Sequence, residues 1–319
     1  MMAEPKWTVG SNQHEKTPAM SSTPGPTPPE ISLVATNSYM TLGPEILESR
    51  KLLLKVIGLL KKQSKALTVL GAHAVFEQTK TIVDLPSMDS TNDADLGVTP
   101  EFLLDLPLLS DIMDSAGLEP ASNSRPGVWG LKSERDLDLR QRLTIDLIAP
   151  ASVAGSGRRS AEVGPHGKRS VSKTTGTELS LIDRQWMEID SLDSTPNGEG
   201  YVAGVAALVC AKVYKIFDRI DPTELTRNPE RFKPKDVSDL FRLMVAMDGA
   251  EVRGVFERGI ANPDIAVAVV EGKRRLLALR DLGDGDWIAD QVIRQWGDEV
   301  LERPQIQSVV YEWFTDFSS

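Results

Sequence analysis

The chain has 319 residues, 40% of them hydrophobic and 26% charged, with a net charge of −10, the profile expected of a globular protein large enough for two modest domains. That acidity argues against a general polyanion binder and leaves a local basic patch as the route to nucleic acid. No apolar run approaches the roughly 18 residues of a membrane span, no signal peptide is recognisable, and Cys210 is the one cysteine, so no internal disulfide forms and a cytoplasmic location without a membrane partner is expected.

Residues 1–36 are rich in Pro, Ser, Thr and Gly (SSTPGPTPPE) and predict a disordered tail. Pro44 then opens an amphipathic helix with Ile46, Leu47, Leu53, Leu54, Ile57 and Leu60 on its apolar face. Leu67–Leu70 is a short β-rich run, Gly71 a break and Ala72–Gln78 a helix; DSTNDADLGV reads as a strand. Pro100 and EFLLDLPLLSDIMDSAG predict a second amphipathic helix ending near Gly117, followed by strands in RPGVWGL and LRQRLTIDLIAP. ELSLIDRQWMEID is a strand or strand–turn, and from Gly200 onward the periodicity is helical almost to the end. The expected fold class is α+β: a mixed sheet with flanking helices over 37–198 and an all-helical C-terminal domain over 199–319.

The TNDADLGV stretch carries the first chemical signal. Asp93 and Asp95 project to one face of a strand while Ala94 and Leu96 point to the other. Two neighbouring carboxylates repel and resist desolvation unless a cation neutralises them, and Mg²⁺ (or Mn²⁺) with its preference for oxygen suits that task. About fifty residues on, LTIDLIA places Asp146 within an apolar strand, on the face opposite Leu143, Ile145 and Leu147. On a neighbouring strand it would complete a three-carboxylate cluster fit for two-metal chemistry. The plainer reading makes DAD a turn and Asp146 a strand-edge acid.

Further along, Lys212, Lys215 and Arg219 share one face of a predicted helix, and Lys235, Asp236 and Asp239 stand in the first turn of the next, after Pro234. A solvated stripe and acids favoured by a helix dipole would explain the same residues without function. Cys210, within VAALVCAKV, reads as a small buried helix residue.

The series VLGAHAVFE … STNDADLGV … LTIDLIA resembles the minimal nucleotidyltransferase core of the DNA polymerase β superfamily. More narrowly, AKVYKIFDR … KPKDVSDLFRLM is similar to the second signature of the AbiEii-type nucleotidyltransferases, which include mycobacterial toxins of toxin–antitoxin systems. The resemblance spans roughly residues 40–250. It implies that Asp93, Asp95 and Asp146 bind metal and that these three act catalytically with Lys212 and Asp236. The nucleotide would lie against Gly71, Ala72, Thr91, Lys212 and Lys215, with Asp236 holding Lys212 or the nucleotide. Two positions depart from the family pattern: Ala72 stands where a hydroxyl would grip phosphate, and Asp89 where a basic residue is usual.

Residues 155–175 hold Arg158, Arg159, Lys168, Arg169 and Lys173 against the single acid Glu162, in a Gly- and Ser-rich segment expected to be mobile. It reads either as a solvated linker or as a phosphate-backbone contact for nucleic acid. The histidines His14, His73 and His166 have no zinc-like spacing, and Trp287, Trp296 and Trp313 read as core anchors.

Together these expectations describe a metal-dependent nucleotidyltransferase moving NMP from an NTP to a hydroxyl. The resemblance points to the tRNA 3′ end as acceptor, in a toxin–antitoxin or phage-defence system with a cognate antitoxin protein. Two alternatives stand beside it: a small molecule or protein side chain as acceptor, and an inactive fold serving as a binding module.

Overall fold

In the computed structural model the described residues are 43–82, 84–86 and 91–319, and the expected disordered tail and Asp89 lie outside them. Helix α1 (Pro44–Leu59) starts on a proline at its first position, where the missing amide costs nothing, and buries Ile46, Leu53 and Val56. A 3₁₀ turn leads into β1 (Leu67–Val69), and α2 (Gly71–Thr79) follows at once. Arg50 of α1 and Glu77 of α2 form a fully buried ion pair at 2.6 Å that ties the two helices together.

The remaining strands are β2 (Asp93–Val98), β3 (Leu118–Pro120), β4 (Val128–Leu131), β5 (Thr144–Pro150), β6 (Ser172–Thr174), β7 (Arg184–Ile189) and β8 (Gly198–Ala203). They form one eight-stranded sheet in the order β3-β4-β5-β2-β1-β8-β7, with β6 beside the C-terminal end of β5. The sheet is mixed: β2 and β5 are parallel, as are β1 and β8, while β1 and β2 are antiparallel. Alternation along β2 and β5 sends Ala94, Leu96, Ile145 and Leu147 into the core and leaves the opposite face polar.

Two expectations are corrected here. The helix predicted from Pro100 to Gly117 is realised only as a 3₁₀ turn (Pro100–Phe102) and α3 (Leu109–Ser115). Pro107 has no amide to donate and pushes Leu106 out of helical geometry, so the segment between is extended, tied down by the Gln63 side chain at Leu104 and Pro107. Helix also does not begin at Gly200: Gly200–Ala203 belong to β8, which lies between β1 and the edge strand β7, and α4 (Val205–Ile220) starts almost directly after it.

The C-terminal region is helical as expected. After α4 come α5 (Pro222–Arg227), α6 (Lys235–Ala246), α7 (Gly249–Ala261), α8 (Ala266–Arg280), α9 (Trp287–Trp296) and α10 (Arg303–Ser318). Helix α6 packs on both α4 and α2, so the hydrophobic core runs without a break from the sheet into the helices. Trp313 is buried and stacks on Phe317, while Trp287 and Trp296 pack against the core edge. Cys210 is buried where Gly272 of α8 approaches its sulfur, and burial pushes the thiol well above its ordinary range, which leaves it inert. Among the described residues no helix is long and apolar enough to cross a membrane.

Candidate active site

Strands β2 and β5 lie side by side with Asp95 directly opposite Asp146 and Asp93 opposite Thr144. Parallel pairing keeps partners on the same face, so Asp93, Asp95 and Asp146 share the polar face of the sheet. Asp93 is exposed and the other two are half-buried, so the cluster opens to solvent at the N-terminal end of β2. One oxygen of Asp146, Oδ1, is buried without a hydrogen-bond partner in the described structure.

The energetics follow from this crowding. Burial, then the charge of Asp93, raises Asp95 to about 6. Burial, then Asp95 and Asp93, raises Asp146 well above its ordinary value. Burial acts in the same direction on Asp93, but the Thr91 hydroxyl and the cations Lys215 and Lys235 outweigh it and bring Asp93 below its usual range. Thr91 is itself buried, donates to Asp93 Oδ1, and accepts through its carbonyl from Ser49 of α1 at 3.0 Å. Ser49 Oγ lies 3.1 Å from His73 Nε2. Burial depresses His73 far below its ordinary pKa, so the imidazole is neutral and acts as packing and support rather than as a base.

Gly71 closes one side of the cluster. Its φ is +63° and a Cβ there would sit 2.0 Å from Asp95 Oδ2, so only glycine lets the start of α2 lie against this carboxylate. Helix α2 therefore begins against Asp95, and the N-terminal end of a helix is an arrangement suited to anions. Gly71→Ala is expected to push Asp95 out of register and lower transfer activity by at least ~100-fold, while positive φ and local crowding cost about 1–2 kcal/mol of stability. Chemical denaturation alongside an activity assay would separate the two effects.

Helices α4 and α6 supply the facing charge. Asp236 is fully buried and gathers Lys212 at 3.0 Å, Lys215 at 3.0 Å and Arg219 at 2.5 Å. Asp239 also accepts from Lys212. Burial opposes ionisation of Asp236, yet these cations hold its carboxyl far below the usual range; burial likewise opposes charge on Lys212, and its two acids raise its pKa. Lys212 is thus committed to protein carboxylates, a difference from the expected direct grip on a triphosphate. Lys215 is more than a third exposed at its side chain and acts on both Asp93 and Asp95.

Two further cations belong to this neighbourhood. Lys235, at the start of α6, lies close enough to help lower Asp93, and burial followed by repulsion from Lys212 lowers its own pKa. In sequence it belongs to the KPKDVSDLFRLM segment, where the resemblance assigns it no role of its own. Arg125 acts on Asp146 from the loop before β4. No periodicity marks it, since only the pairing of β4 with β5 brings that loop to the site.

The five basic residues predicted to meet nucleic acid form a separate group, beside β6. Arg158, Arg159, Lys168 and Arg169 are exposed. Lys173 donates to the Gly155 carbonyl at 2.5 Å, and Arg169 to the Ser122 carbonyl at 2.7 Å. The segment is folded rather than free. His166 is buried, accepting at Nδ1 from the Leu109 amide at 3.1 Å and placing Nε2 2.9 Å from the Leu104 carbonyl, and Ser160 bridges to Ser172.

Among the described residues no group of three or more His, Cys, Asp or Glu side chains is placed to hold a metal ion, so Asp93, Asp95 and Asp146 share a sheet face without forming a ready ligand set. The chemistry of the acid face still fits a hard divalent cation: all the donors are carboxylate oxygens, one is buried and unpartnered, and burial with neighbouring carboxylates makes two of the carboxyls resist ionisation. A cleft of about 540 Å³ lined by Arg280, Tyr311 and Phe314 and a groove of about 390 Å³ between α1 and the sheet both lie away from these acids.

Fold and site together define an α+β protein with a mixed sheet, an acid cluster on one sheet face and a cationic helical flank beside it. Comparison of the chain with protein families, with curated proteins and with solved structures finds no match.

Proposed function

We propose that the chain is a metal-dependent nucleotidyltransferase of the type its motifs resemble, moving NMP from an NTP to a hydroxyl acceptor and releasing pyrophosphate. The observation that carries the reading is the placement of Asp93, Asp95 and Asp146 on one face of adjacent parallel strands, with α2 starting against Asp95. These three carboxylates would hold Mg²⁺ or Mn²⁺. The ion would supply Lewis-acid stabilisation of the charge that builds on the phosphoryl oxygens.

The chain's own groups divide the remaining work. Asp146 Oδ1, lacking a partner and belonging to a carboxyl of raised proton affinity, receives the proton of the attacking hydroxyl. Lys215 and Lys235 neutralise the triphosphate on the β2 side, and the α2 amides cradle it. Lys212 and Asp236 act behind them, fixing α4 against α6 so that Lys215 faces the acids. Thr91, Ser49 and His73 hold Asp93 in place.

The acceptor assigned in this reading is an RNA 3′ end, that of tRNA by resemblance, with the basic group around Arg158, Arg159, Lys168, Arg169 and Lys173 contacting its backbone, and with growth inhibition relieved by an antitoxin as the biological setting. A binding module without activity is the second reading, favoured by Ala72 and by the open carboxylate arrangement. Incubation with each α-labelled NTP, total RNA and Mg²⁺ tests both. Label should enter RNA with wild type and not with Asp146→Ala. Equal incorporation by the variant would remove Asp146 from the chemistry, and a wild type that binds NTP without transferring it would leave the binding module.

A further inference from the structure

The cations around the acid cluster are not spread evenly. Lys212, Lys215 and Lys235 act on Asp93 and Asp95, whereas the charge that acts on Asp146 comes from a different cation, Arg125, three residues before Val128, the partner of Asp146 in β4. Sheet order explains the split: the loop carrying Arg125 leads into β4, which pairs with β5 on the side away from β2.

That loop, residues 121–127, is built to sit there. Val128 pairs directly with Asp146, and the loop is closed by a hydrogen bond from the Ala121 amide to the Val128 carbonyl at 2.9 Å. Gly127 has φ +78°, and a Cβ on it would meet the Leu147 carbonyl oxygen and the Ser172 amide, each at 2.4 Å, so glycine alone allows this approach to β5. Arg169 binds the loop from the other side, donating from its side chain to the Ser122 carbonyl and accepting through its own carbonyl from the Gly127 amide at 2.8 Å. Arg125 itself is exposed and has no hydrogen bond or ion pair among the described residues. A loop tied at both ends thus presents an uncommitted guanidinium, the side chain best shaped for phosphate, on the β4 side of the carboxylate that would take the acceptor's proton. The same loop connects the acid cluster to Arg169 and the basic group by β6.

We infer that Arg125 is the acceptor-side phosphate site: it binds the internucleotide phosphate next to the terminal 3′-hydroxyl of a polynucleotide while Asp146 faces that hydroxyl. The inference rests on the nucleotidyl-transfer reading and deepens it, because a phosphate-binding arginine on the β5 side has no use for a neutral small-molecule acceptor. In the reaction it serves, the 3′ oxygen forms a bond to the α-phosphorus of the NTP and the bond from that phosphorus to the β-bridging oxygen breaks. Pyrophosphate departs with the electron pair and the hydroxyl proton passes to Asp146.

The test uses the full chain, Mg²⁺, the NTP wild type transfers best, and a short single-stranded RNA with a free 3′-hydroxyl. Arg125→Ala should raise the KM for this RNA roughly ten- to hundredfold, the usual size of a lost charge-assisted hydrogen bond, with the KM for NTP within about twofold of wild type. Arg125→Lys should recover part of the loss. Replacing the last internucleotide phosphate by a neutral methylphosphonate should weaken wild type similarly and add nothing further to Arg125→Ala. An unchanged RNA KM in the alanine variant, an equal methylphosphonate penalty in both proteins, or preference of wild type for a neutral small-molecule hydroxyl overturns the inference while the transferase reading stands. Wild type inert towards every NTP and acceptor overturns both.

Discussion

Asp95→Asn is expected to yield a protein that melts higher than wild type at neutral pH and transfers no nucleotide. Asp95 lies between Asp93 and Asp146, and burial with the Asp93 charge holds its carboxyl near 6 rather than at the ordinary 3.8. A carboxyl that binds its proton more tightly folded than unfolded reduces stability as pH rises through that window. Stability attributable to Asp95 is therefore fully present below about pH 4, declines between about 4 and 6, and stays low above it. The ionised carboxylate costs about 1–2 kcal/mol at neutral pH once solvent screening at a half-buried site is allowed for. The neutral amide removes that cost and flattens the slope between pH 4 and 6. It also removes a ligand from the proposed metal site, so turnover should fall by ~1,000-fold or more and the rise in Tm that Mg²⁺ gives wild type should vanish. Thermal melts across pH with and without Mg²⁺, next to a transfer assay, check each part. A variant that melts lower and still transfers would contradict the account of the acid cluster.

The second large effect concerns the helical flank. Asp236→Ala is expected to destabilise the fold by about 3–5 kcal/mol, because it strips a buried carboxylate from three cations and leaves Lys212 with Asp239 alone. Asp236→Asn should cost less, since the amide oxygen still accepts from Lys212 at this spacing. The pH dependence has the opposite sign to that of Asp95. Asp236 is held far below its usual pKa, so its contribution is present above about pH 4, the unfolded value, and is lost as pH falls below it. Urea unfolding of wild type should therefore show an acid limb that is shallower in the alanine variant. If the two proteins have equal midpoints at pH 7, Asp236 is not the organising group of this cluster. Activity should fall in the same variant, because Lys215 loses the partner that orients it towards β2.

These expectations give the two sides of the site different duties. The acids of the sheet bring unfavourable charge together where a divalent cation and a triphosphate would offset it. The α4–α6 pairing, by contrast, sets Lys212, Lys215 and Arg219 against Asp236 and Asp239, so it stays net positive while its ion pairs have a structural role before any ligand arrives. Sites that gather charge against stability are where pKa values depart furthest from normal, which is why Asp95 and Asp146 stand out from the many surface acids of this chain.

Much of this was written locally in the sequence. Alternation along DADLGV and LTIDLIA placed Asp93, Asp95 and Asp146 on the polar sides of their strands, and Pro44, Gly71 and Pro234 announced three helix starts, because periodicity and turn chemistry are properties of neighbouring residues. Only tertiary structure decided that Asp95 meets Asp146, since strand register couples segments about fifty residues apart and many pairings satisfy the same local pattern. It likewise turned Gly200–Ala203 into a strand, because an apolar run of this kind suits helix and buried strand equally and the gap beside β1 chose between them. Arg125 was illegible for the same reason, an ordinary basic residue until a sheet edge brings its loop to Asp146, whereas Lys235 stood in the KPKDVSDLFRLM segment and only the helix packing decided that it acts on Asp93.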